Sequence, residues 1–278
     1  MTAPAASRIR RYARLHGMDV DGLLLDVDGV LTVSWEPIDG AIDTLDRLRH
    51  RGLPYRLITN TTTHTREALA GTLRTAGFTV DADDIITAVV ATAAYIRATH
   101  PGARVSLLSD GDAREDLDGI TLVGPDDPAD VVVIGGASDD FTYATINHIF
   151  RLLMNGAALV GMHRNMFWRT NDGLELDGGA YIAGLEEATG VHATICGKPA
   201  PTYFRTALEQ LGVPVSRAAM VGDDVVNDVL AAQAIGMTGV LVRTGKFRDV
   251  DLQRDDGTPD KVIDSFAALP SILESGES

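Results

Sequence analysis

Apolar and polar residues alternate along the chain in blocks that are typical of strands followed by helices. An apolar run that ends in two carboxylates predicts a buried strand over Gly22–Asp28, and apolar residues at helical spacing predict a helix over Ile38–Arg51. The strand-like run Tyr55–Asn60 and the helical pattern Thr65–Ala76 repeat this order. Strands joined through a helix run parallel, so these two strands are expected to end at the same edge of a sheet.

The same alternation continues through the rest of the chain. The further predicted helices are Ile86–Thr99, Phe141–Met154, Pro201–Leu211 and Asn227–Ile235, and the further predicted strands are Val105–Leu108, Val131–Ile134, Ala158–Met162, Ala218–Gly222 and Gly239–Val242. Polar residues over Thr170–Gly179 predict a turn. The pattern predicts an α/β fold in which a smaller domain, residues 86–182, is inserted into a larger one formed by residues 1–85 and 183–278.

The composition restricts the classes of function. Among 278 residues, 39 acidic side chains outnumber 24 basic ones, and the net charge of −15 argues against a nucleic-acid or anionic-membrane partner. No apolar run approaches the ~20 residues of a membrane span, and residues 1–17 lack the apolar core of a secretory signal. Cys196 is the only cysteine, so we expect a buried structural thiol and a cytoplasmic protein.

Two carboxylates stand at the end of the first predicted strand. Asp26 and Asp28 are two residues apart, so their side chains point the same way in an extended segment, and Gly29 follows as a turn residue. Ligands of open α/β sheets bind beyond the carboxyl ends of the strands. Taken alone, the pair is equally consistent with a structural Asp-Gly turn and with an acidic site for a divalent metal.

Three further polar signals follow apolar segments later in the chain. Thr59-Asn60 closes the second strand, Lys198 lies in a loop restricted by Gly and Pro, and the run Gly222–Asp228 contains three acidic residues. Each has an ordinary structural interpretation, as a helix cap, a surface lysine or acids at a helix N-terminus. Together, the four signals meet the requirements of phosphoryl transfer, which needs a nucleophile, an acid, positive charge and a cation.

The residues supply a candidate for each of these requirements. Asp26 can attack phosphorus to form an aspartyl-phosphate, and Asp28 can protonate the leaving oxygen and then activate water. Thr59, the backbone N–H of Asn60 and the ammonium of Lys198 can bind the phosphoryl oxygens. We therefore predict an enzyme that hydrolyses small phosphorylated metabolites.

Mg²⁺ is the cation that this set of acids favours, because it takes oxygen ligands from one or two carboxylates, waters and phosphate. The predicted ligands are Asp26, a carbonyl of Asp28 and Asp223. Asp224 or Asp228 would complete the acidic surroundings, directly or through water. The ion would also relieve the repulsion between neighbouring carboxylates.

In chain order, these residues resemble the four motifs of the haloacid dehalogenase (HAD) superfamily of phosphatases. The matching positions are Asp26–Leu31, Thr59-Asn60, Lys198 and Gly222-Asp223 with Asp228. The resemblance implies a Rossmann-like parallel-sheet core, an inserted α/β cap of the C2 type and a Mg²⁺-dependent phosphoric monoester hydrolase of subclass IIA, the NagD-like group. Asn227 departs from the threonine that many members carry at this position. The segments Gly197–Pro201, Val221–Asp224 and Val242–Phe247 look most similar to the branch containing phospholysine phosphohistidine inorganic pyrophosphate phosphatase.

The resemblance also implies that the cap recognises the leaving group and that the chain forms a homodimer through it. His163 and Arg164 follow a predicted cap strand and are candidates for substrate contacts, although Arg164 is also consistent with an ordinary surface arginine. The residues leave the substrate open. They also leave open a phosphotransferase or phosphomutase on the same scaffold, and a non-catalytic protein that binds a phosphorylated metabolite. A nucleotide-binding oxidoreductase is disfavoured, because no G-x-G-x-x-G follows a predicted strand.

Overall fold

The described part of the chain forms two compact units. A computed structural model describes residues 13–15, 18–170 and 173–274, so most of the N-terminal stretch examined for a secretory signal lies outside the described residues. The first unit contains the residues up to Arg56, Ala76–Thr79 and the residues from Leu208 onwards, and the second contains Leu57–Thr75 and Val80–Ala207. The predicted domain boundaries at residues 86 and 182 stay a prediction.

Strands and helices alternate along most of the described chain. The strands are β1 (Ala13–Leu15), β2 (Met18–Val20), β3 (Gly22–Asp26), β4 (Thr32–Val33), β5 (Glu36–Pro37), β6 (Tyr55–Thr59), β7 (Ile85–Thr87), β8 (Arg104–Leu108), β9 (Thr121–Leu122), β10 (Val131–Ile134), β11 (Ala158–Gly161), β12 (Phe167–Thr170), β13 (Gly173–Leu176), β14 (Thr194–Ile195), β15 (Ala218–Gly222), β16 (Thr238–Val242), β17 (Lys261–Ile263) and β18 (Leu273–Glu274). The α-helices are α1 (Ala41–His50), α2 (Arg66–Thr75), α3 (Ala88–Thr99), α4 (Tyr143–Met154), α5 (Gly178–Thr189), α6 (Pro201–Leu211), α7 (Ala231–Ala234) and α8 (Leu269–Ile272). A π-helix, Val225–Leu230, runs directly into α7.

Parallel strands organise the first unit. They pair in the order β17, β16, β15, β3, and β3, β15 and β16 are buried along their whole length. Continuous apolar strands of this kind are typical of parallel sheets that are covered on both faces. The register sets Val221 of β15 beside Leu25 of β3. The carboxyl ends of these two strands are therefore adjacent, at the positions from which Asp26 and Asp223 emerge.

The second unit contains a five-stranded parallel sheet in the order β14, β11, β10, β8, β9. Its central strand β10 shows why the sequence pattern is continuous rather than alternating. Val131 and Val133 pack with residues of α3 on one face, whereas Val132 and Ile134 pack with residues of α4 and α5 on the other. In the same unit, the last residues of β6 pair in parallel with β7.

The predicted α/β class with parallel strands is confirmed, and β10, α6 and β15 have the predicted bounds. The prediction of a helix from Ile86 was wrong at its start, because Ile85–Thr87 forms a strand that pairs with β6. The helix begins after Thr87, whose hydroxyl accepts a hydrogen bond from the N–H of Val90 at 3.2 Å. In the part of the chain that the structure describes, no helix has the length and apolarity needed to cross a membrane.

Two other elements differ from their predictions. The predicted helix Asn227–Ile235 is a π-helix that starts at Val225 and continues as α7. The polar stretch Thr170–Gly179 was wrongly predicted as a turn, because it contains strand β13 and the first residues of α5. Asp177 caps α5, with its carboxylate accepting the N–H of Gly178 at 2.7 Å, so a polar residue here starts a helix.

Candidate active site

Asp26 stands at the point where β3 ends and the backbone turns. Its side chain is buried, and one carboxylate oxygen accepts the N–H of Val27 at 2.8 Å. The chain then folds back on itself, since the N–H of Gly29 donates to the carbonyl of Thr32 at 2.6 Å. Gly29 has a φ of 89°, a left-handed conformation that favours glycine. The turn leaves Asp28 exposed, two residues beyond the buried Asp26.

Asp223 follows β15 directly and is buried, with 2% of its surface exposed. The next residue, Asp224, has a different role. Its carboxylate accepts hydrogen bonds from the N–H groups of Val226 at 3.0 Å and Asn227 at 2.9 Å, and from the Asn227 side-chain amide at 2.8 Å. Asp224 therefore caps the π-helix, and the departure from the family at Asn227 adds a third hydrogen bond to that cap.

The π-helix brings Asp228 back towards the end of β15. The N–H of Val229 reaches the carbonyl of Asp224, five residues earlier, at 3.3 Å. Asp228 is completely buried, and its carboxylate accepts the N–H of Asp224 at 3.3 Å. A methyl group on Gly222 would overlap the side chain of Asp228, so glycine at this position allows the close approach. Single π-helical turns inside helices are frequent at functional sites.

Asp26, Asp223 and Asp228 form a buried acidic cluster. Each offers a carboxylate oxygen, and these three oxygens lie within 4.8 Å of one another. Opposite ligands of an octahedral Mg²⁺ ion are ~4.2 Å apart, and the ion prefers oxygen donors, so the donor set fits a divalent cation. The predicted residues Asp26 and Asp223 come together with Asp228, whereas Asp224 is not part of this cluster.

Thr59, the predicted phosphate-binding residue at the end of β6, is fixed by a buried tyrosine. The hydroxyl of Tyr203, on α6, accepts the N–H of Thr59 at 3.0 Å and lies 2.8 Å from the carbonyl of Thr59 and 2.7 Å from that of Ile86. Tyr203 has no exposed surface. The side-chain hydroxyl of Thr59 lies 3.0 Å from that of Thr61 and accepts the Thr61 N–H at 3.2 Å.

Asn60 and Lys198 are held together through the backbone of Lys198. The side-chain oxygen of Asn60 accepts the N–H of Lys198 at 2.8 Å, and its amide donates to the Lys198 carbonyl at 2.9 Å. Lys198 is buried, with 6% of its surface exposed, which is unusual for lysine. A side chain on the preceding Gly197 would approach the Asn60 oxygen to 2.6 Å. The side-chain amide of Asn60 therefore orients the loop that contains Lys198. The backbone N–H of Asn60 is the group that is predicted to bind phosphate.

His163 and Arg164, the predicted cap contacts, differ from each other in their surroundings. His163 is buried, its Nε2 lies 3.7 Å from the Asp177 carboxylate, and its Nδ1 accepts the N–H of Asn165 at 3.2 Å. Burial lowers the pKa of His163, and the attraction of Asp177 opposes this shift. Arg164 is exposed and forms a bidentate ion pair with Glu186 of α5, which raises the pKa of Arg164 and lowers that of Glu186.

Sequence reasoning missed two residues that orient the site. Tyr203 lies in a segment predicted as a helix, and nothing in that segment's sequence indicated that its hydroxyl would bind the backbone of Thr59 and Ile86. The Asn60 side chain was assigned no contact, although an Asn next to a strand end is a common source of backbone hydrogen bonds. The sequence also left open whether Asp228 joins the acidic cluster directly or through water. Helical spacing could not decide this, because a π-helix changes the face of the helix on which a residue lies.

Comparisons with known proteins identify the family of the chain. The family model described as Haloacid dehalogenase-like hydrolase matches residues 23–122, and a related HAD hydrolase model matches residues 195–269. Haloacid dehalogenase-like hydrolase domain-containing protein 2 of Pongo abelii is 36% identical over 253 residues, which cover 91% of this chain and 95% of that protein. The chain belongs to the haloacid dehalogenase superfamily.

Further relatives define the subclass. Phospholysine phosphohistidine inorganic pyrophosphate phosphatase of Xenopus laevis is 34% identical over 261 residues, covering 91% of this chain and 94% of that protein. The structure of p-nitrophenyl phosphatase from Archaeoglobus fulgidus matches with a TM-score of 0.85 at 29% identity, over 92% of this chain and 100% of that one. NagD from E. coli K-12 matches with a TM-score of 0.82 at 26% identity, over 90% and 98%. The predicted NagD-like subclass IIA is confirmed, and the chain is a HAD-family phosphatase.

Proposed function

We propose that the protein is a Mg²⁺-dependent phosphatase that hydrolyses small phosphorylated metabolites through an aspartyl-phosphate on Asp26. The observation that carries this proposal is the buried cluster of Asp26, Asp223 and Asp228 at the carboxyl ends of two parallel strands. Three carboxylates this close repel one another, and a divalent cation removes the repulsion. When bound, Mg²⁺ would neutralise the negative charge that otherwise keeps a carboxylate nucleophile from a phosphate ester.

The chain's own residues account for both chemical steps. An oxygen of the Asp26 carboxylate forms a bond to phosphorus as the ester P–O bond breaks, and Asp28 gives its proton to the leaving oxygen. Water then attacks the phosphoryl group, Asp28 takes a proton from that water, and the acyl-phosphate bond breaks to release phosphate. The exposure of Asp28 supports this role, because the residue must meet both the leaving group and water.

The phosphoryl oxygens are proposed to be bound by Thr59, the N–H of Asn60 and the Lys198 ammonium. The support for this is that hydrogen bonds within the second unit already fix the positions of these residues. They hold the backbone of Thr59 to Tyr203 and the backbone of Lys198 to the Asn60 side chain. Fixed donors stabilise developing charge without reorganising during the reaction. The substrate class remains broad, since the relatives carry names that refer to several phosphorylated compounds.

Hydrolysis of p-nitrophenyl phosphate tests the proposal. Activity is expected with Mg²⁺, is expected to vanish with a chelator, and is expected to fall by about 10³-fold or more in Asp26→Asn, because the nucleophile is lost. Asp224→Asn is a matched control, since Asp224 caps the π-helix outside the acidic cluster. Absence of turnover with any divalent metal, combined with binding of a phosphorylated metabolite, would establish the non-catalytic alternative.

Trapping tests the covalent step, and added acceptors distinguish the two catalytic alternatives. Borohydride reduces an aspartyl-phosphate to homoserine, which mass spectrometry locates at Asp26 if the covalent step takes place there. Added alcohols separate a hydrolase from a phosphotransferase. A hydrolase releases equal amounts of nitrophenol and phosphate, whereas a phosphotransferase releases less phosphate than nitrophenol.

We also propose a homodimer that forms through the second unit. Its hairpin exposes Phe167, Leu174 and Leu176 at 61%, 63% and 62%, and Leu176 also lines a groove between α4 and α5 with Phe150 and Tyr181. Contiguous exposed apolar side chains of this kind indicate an association surface. Light scattering is expected to give twice the chain mass of 29.6 kDa, and Leu174→Glu is expected to reduce it to one chain. The predicted cytoplasmic location stays a prediction.

A further inference from the structure

A short loop after β16 encloses the carboxylate of Asp223. Gly29 and Gly245 lie next to each other against Oδ2 of this side chain, and a methyl group built on either glycine would overlap the Asp223 carboxylate. Both glycines have left-handed backbone, with φ of 89° and 63°. The two positions therefore require glycine for two reasons, backbone conformation and lack of space.

Hydrogen bonds fix this loop to both parts of the acidic site. The N–H of Lys246 donates to Asp223 Oδ2 at 2.7 Å. The hydroxyl of Thr244 donates to the carbonyl of Gly29, in the turn that follows Asp26. The loop thereby joins the turn after β3 to the residue after β15.

We propose that residues 244–246 form a positioning loop that sets the orientation of the Asp223 carboxylate and thereby the affinity of the acidic cluster for a divalent cation. This inference rests on the proposed function. The loop occupies Oδ2 of Asp223 with a backbone N–H, and Gly245 and the adjacent Gly29 pack closely against the same oxygen, which restricts the orientation of the carboxylate. Groups that orient a metal ligand typically account for ~10–100-fold of metal affinity.

Gly245→Ala tests the loop, and Gly52→Ala is its matched control. Gly52 has a nearly identical φ of 68°, but a methyl group there meets no atom within 4 Å. Both variants therefore place alanine at a similar left-handed φ, and only Gly245→Ala puts a methyl group against the carboxylate of Asp223. Thr244→Val is the second variant, because it keeps the shape of the side chain and removes the hydrogen bond to Gly29.

The measured quantity is the affinity for Mn²⁺, determined by electron paramagnetic resonance. The midpoint of urea unfolding is measured separately, in the presence of a chelator, to report the stability of each variant. We expect Gly245→Ala to bind Mn²⁺ about 10-fold or more weakly, Thr244→Val to bind several-fold more weakly, and Gly52→Ala to match the wild type. A purely structural loop would lower the urea midpoint and leave Mn²⁺ affinity unchanged in both loop variants, which would overturn the inference. If the wild type itself bound no Mn²⁺, the proposed function would fail instead.

Discussion

Tyr203→Phe removes the hydroxyl that fixes the end of β6. The hydroxyl accepts the N–H of Thr59 and has one hydrogen to donate to the carbonyl of Thr59 or of Ile86, so the variant loses two hydrogen bonds at a site without exposed surface. Each is worth about 1 kcal/mol net, and the buried N–H left behind adds ~1–3 kcal/mol. We therefore expect the free energy of unfolding to fall by about 3–5 kcal/mol.

The same change is expected to reduce catalysis, since Thr59 and the following N–H of Asn60 are proposed phosphate ligands. A displacement of ~1 Å can cost ~10²-fold in rate, so a smaller shift predicts a fall in kcat/KM of about 10-fold. Tyr95→Phe is the control, because Tyr95 is half-buried and donates a single 3.3 Å hydrogen bond to Thr194. Urea unfolding and p-nitrophenyl phosphate kinetics provide the assays. Equal stability and equal kcat/KM in the two variants would refute the role assigned to Tyr203.

Three other predictions follow from the charged and reactive side chains of the second unit. Burial raises the pKa of the Cys196 thiol to about 12, so a thiol reagent at pH ~8 should label Cys196 only after unfolding, and rapid labelling of native protein would contradict this. The pKa of His163 lies below its usual 6.5 because of burial, so the unfolded state takes up the proton first. The free energy of unfolding should therefore fall as pH drops through about 6.5, and His163→Gln should reduce this dependence in urea titrations; an unchanged slope would refute it. Arg164→Ala breaks an exposed ion pair worth ~0–1 kcal/mol and should leave kcat/KM unchanged for several phosphate esters, whereas a substrate-dependent loss would show that Arg164 contacts the leaving group.

The elements that could be predicted from the sequence are those whose residue pattern has a single physical cause, such as burial on both faces of a strand. β10 and β15 are buried on both faces, so their sequences are continuously apolar and their bounds are clear. Asp26 ends one such strand and Asp223 directly follows another, and acidic residues at strand ends were the signal from which both were predicted as metal ligands. The prediction failed at Ile85–Thr87, because two isoleucines and a threonine are equally suited to a short strand and to the start of a helix.

The finer features of the site depend on contacts that strand or helix spacing does not predict. Asp228 reaches the cluster through a π-helix and a glycine at position 222, and neither can be predicted from helical spacing. Asn60 orients Lys198, 138 residues later, and Gly245 leaves space for Asp223. Such features are tertiary, and the residue types involved have more common local roles in turns and caps.

Calorimetric titration of Mg²⁺ into chelator-treated protein tests the central claim most directly, that the buried cluster of Asp26, Asp223 and Asp228 holds a divalent cation. We predict one binding event per chain, loss of that event in Asp223→Asn and Asp228→Asn, and its retention in Asp224→Asn, which alters only the cap of the π-helix. Absence of binding to the wild type, or binding of equal strength in Asp223→Asn, would contradict the claim.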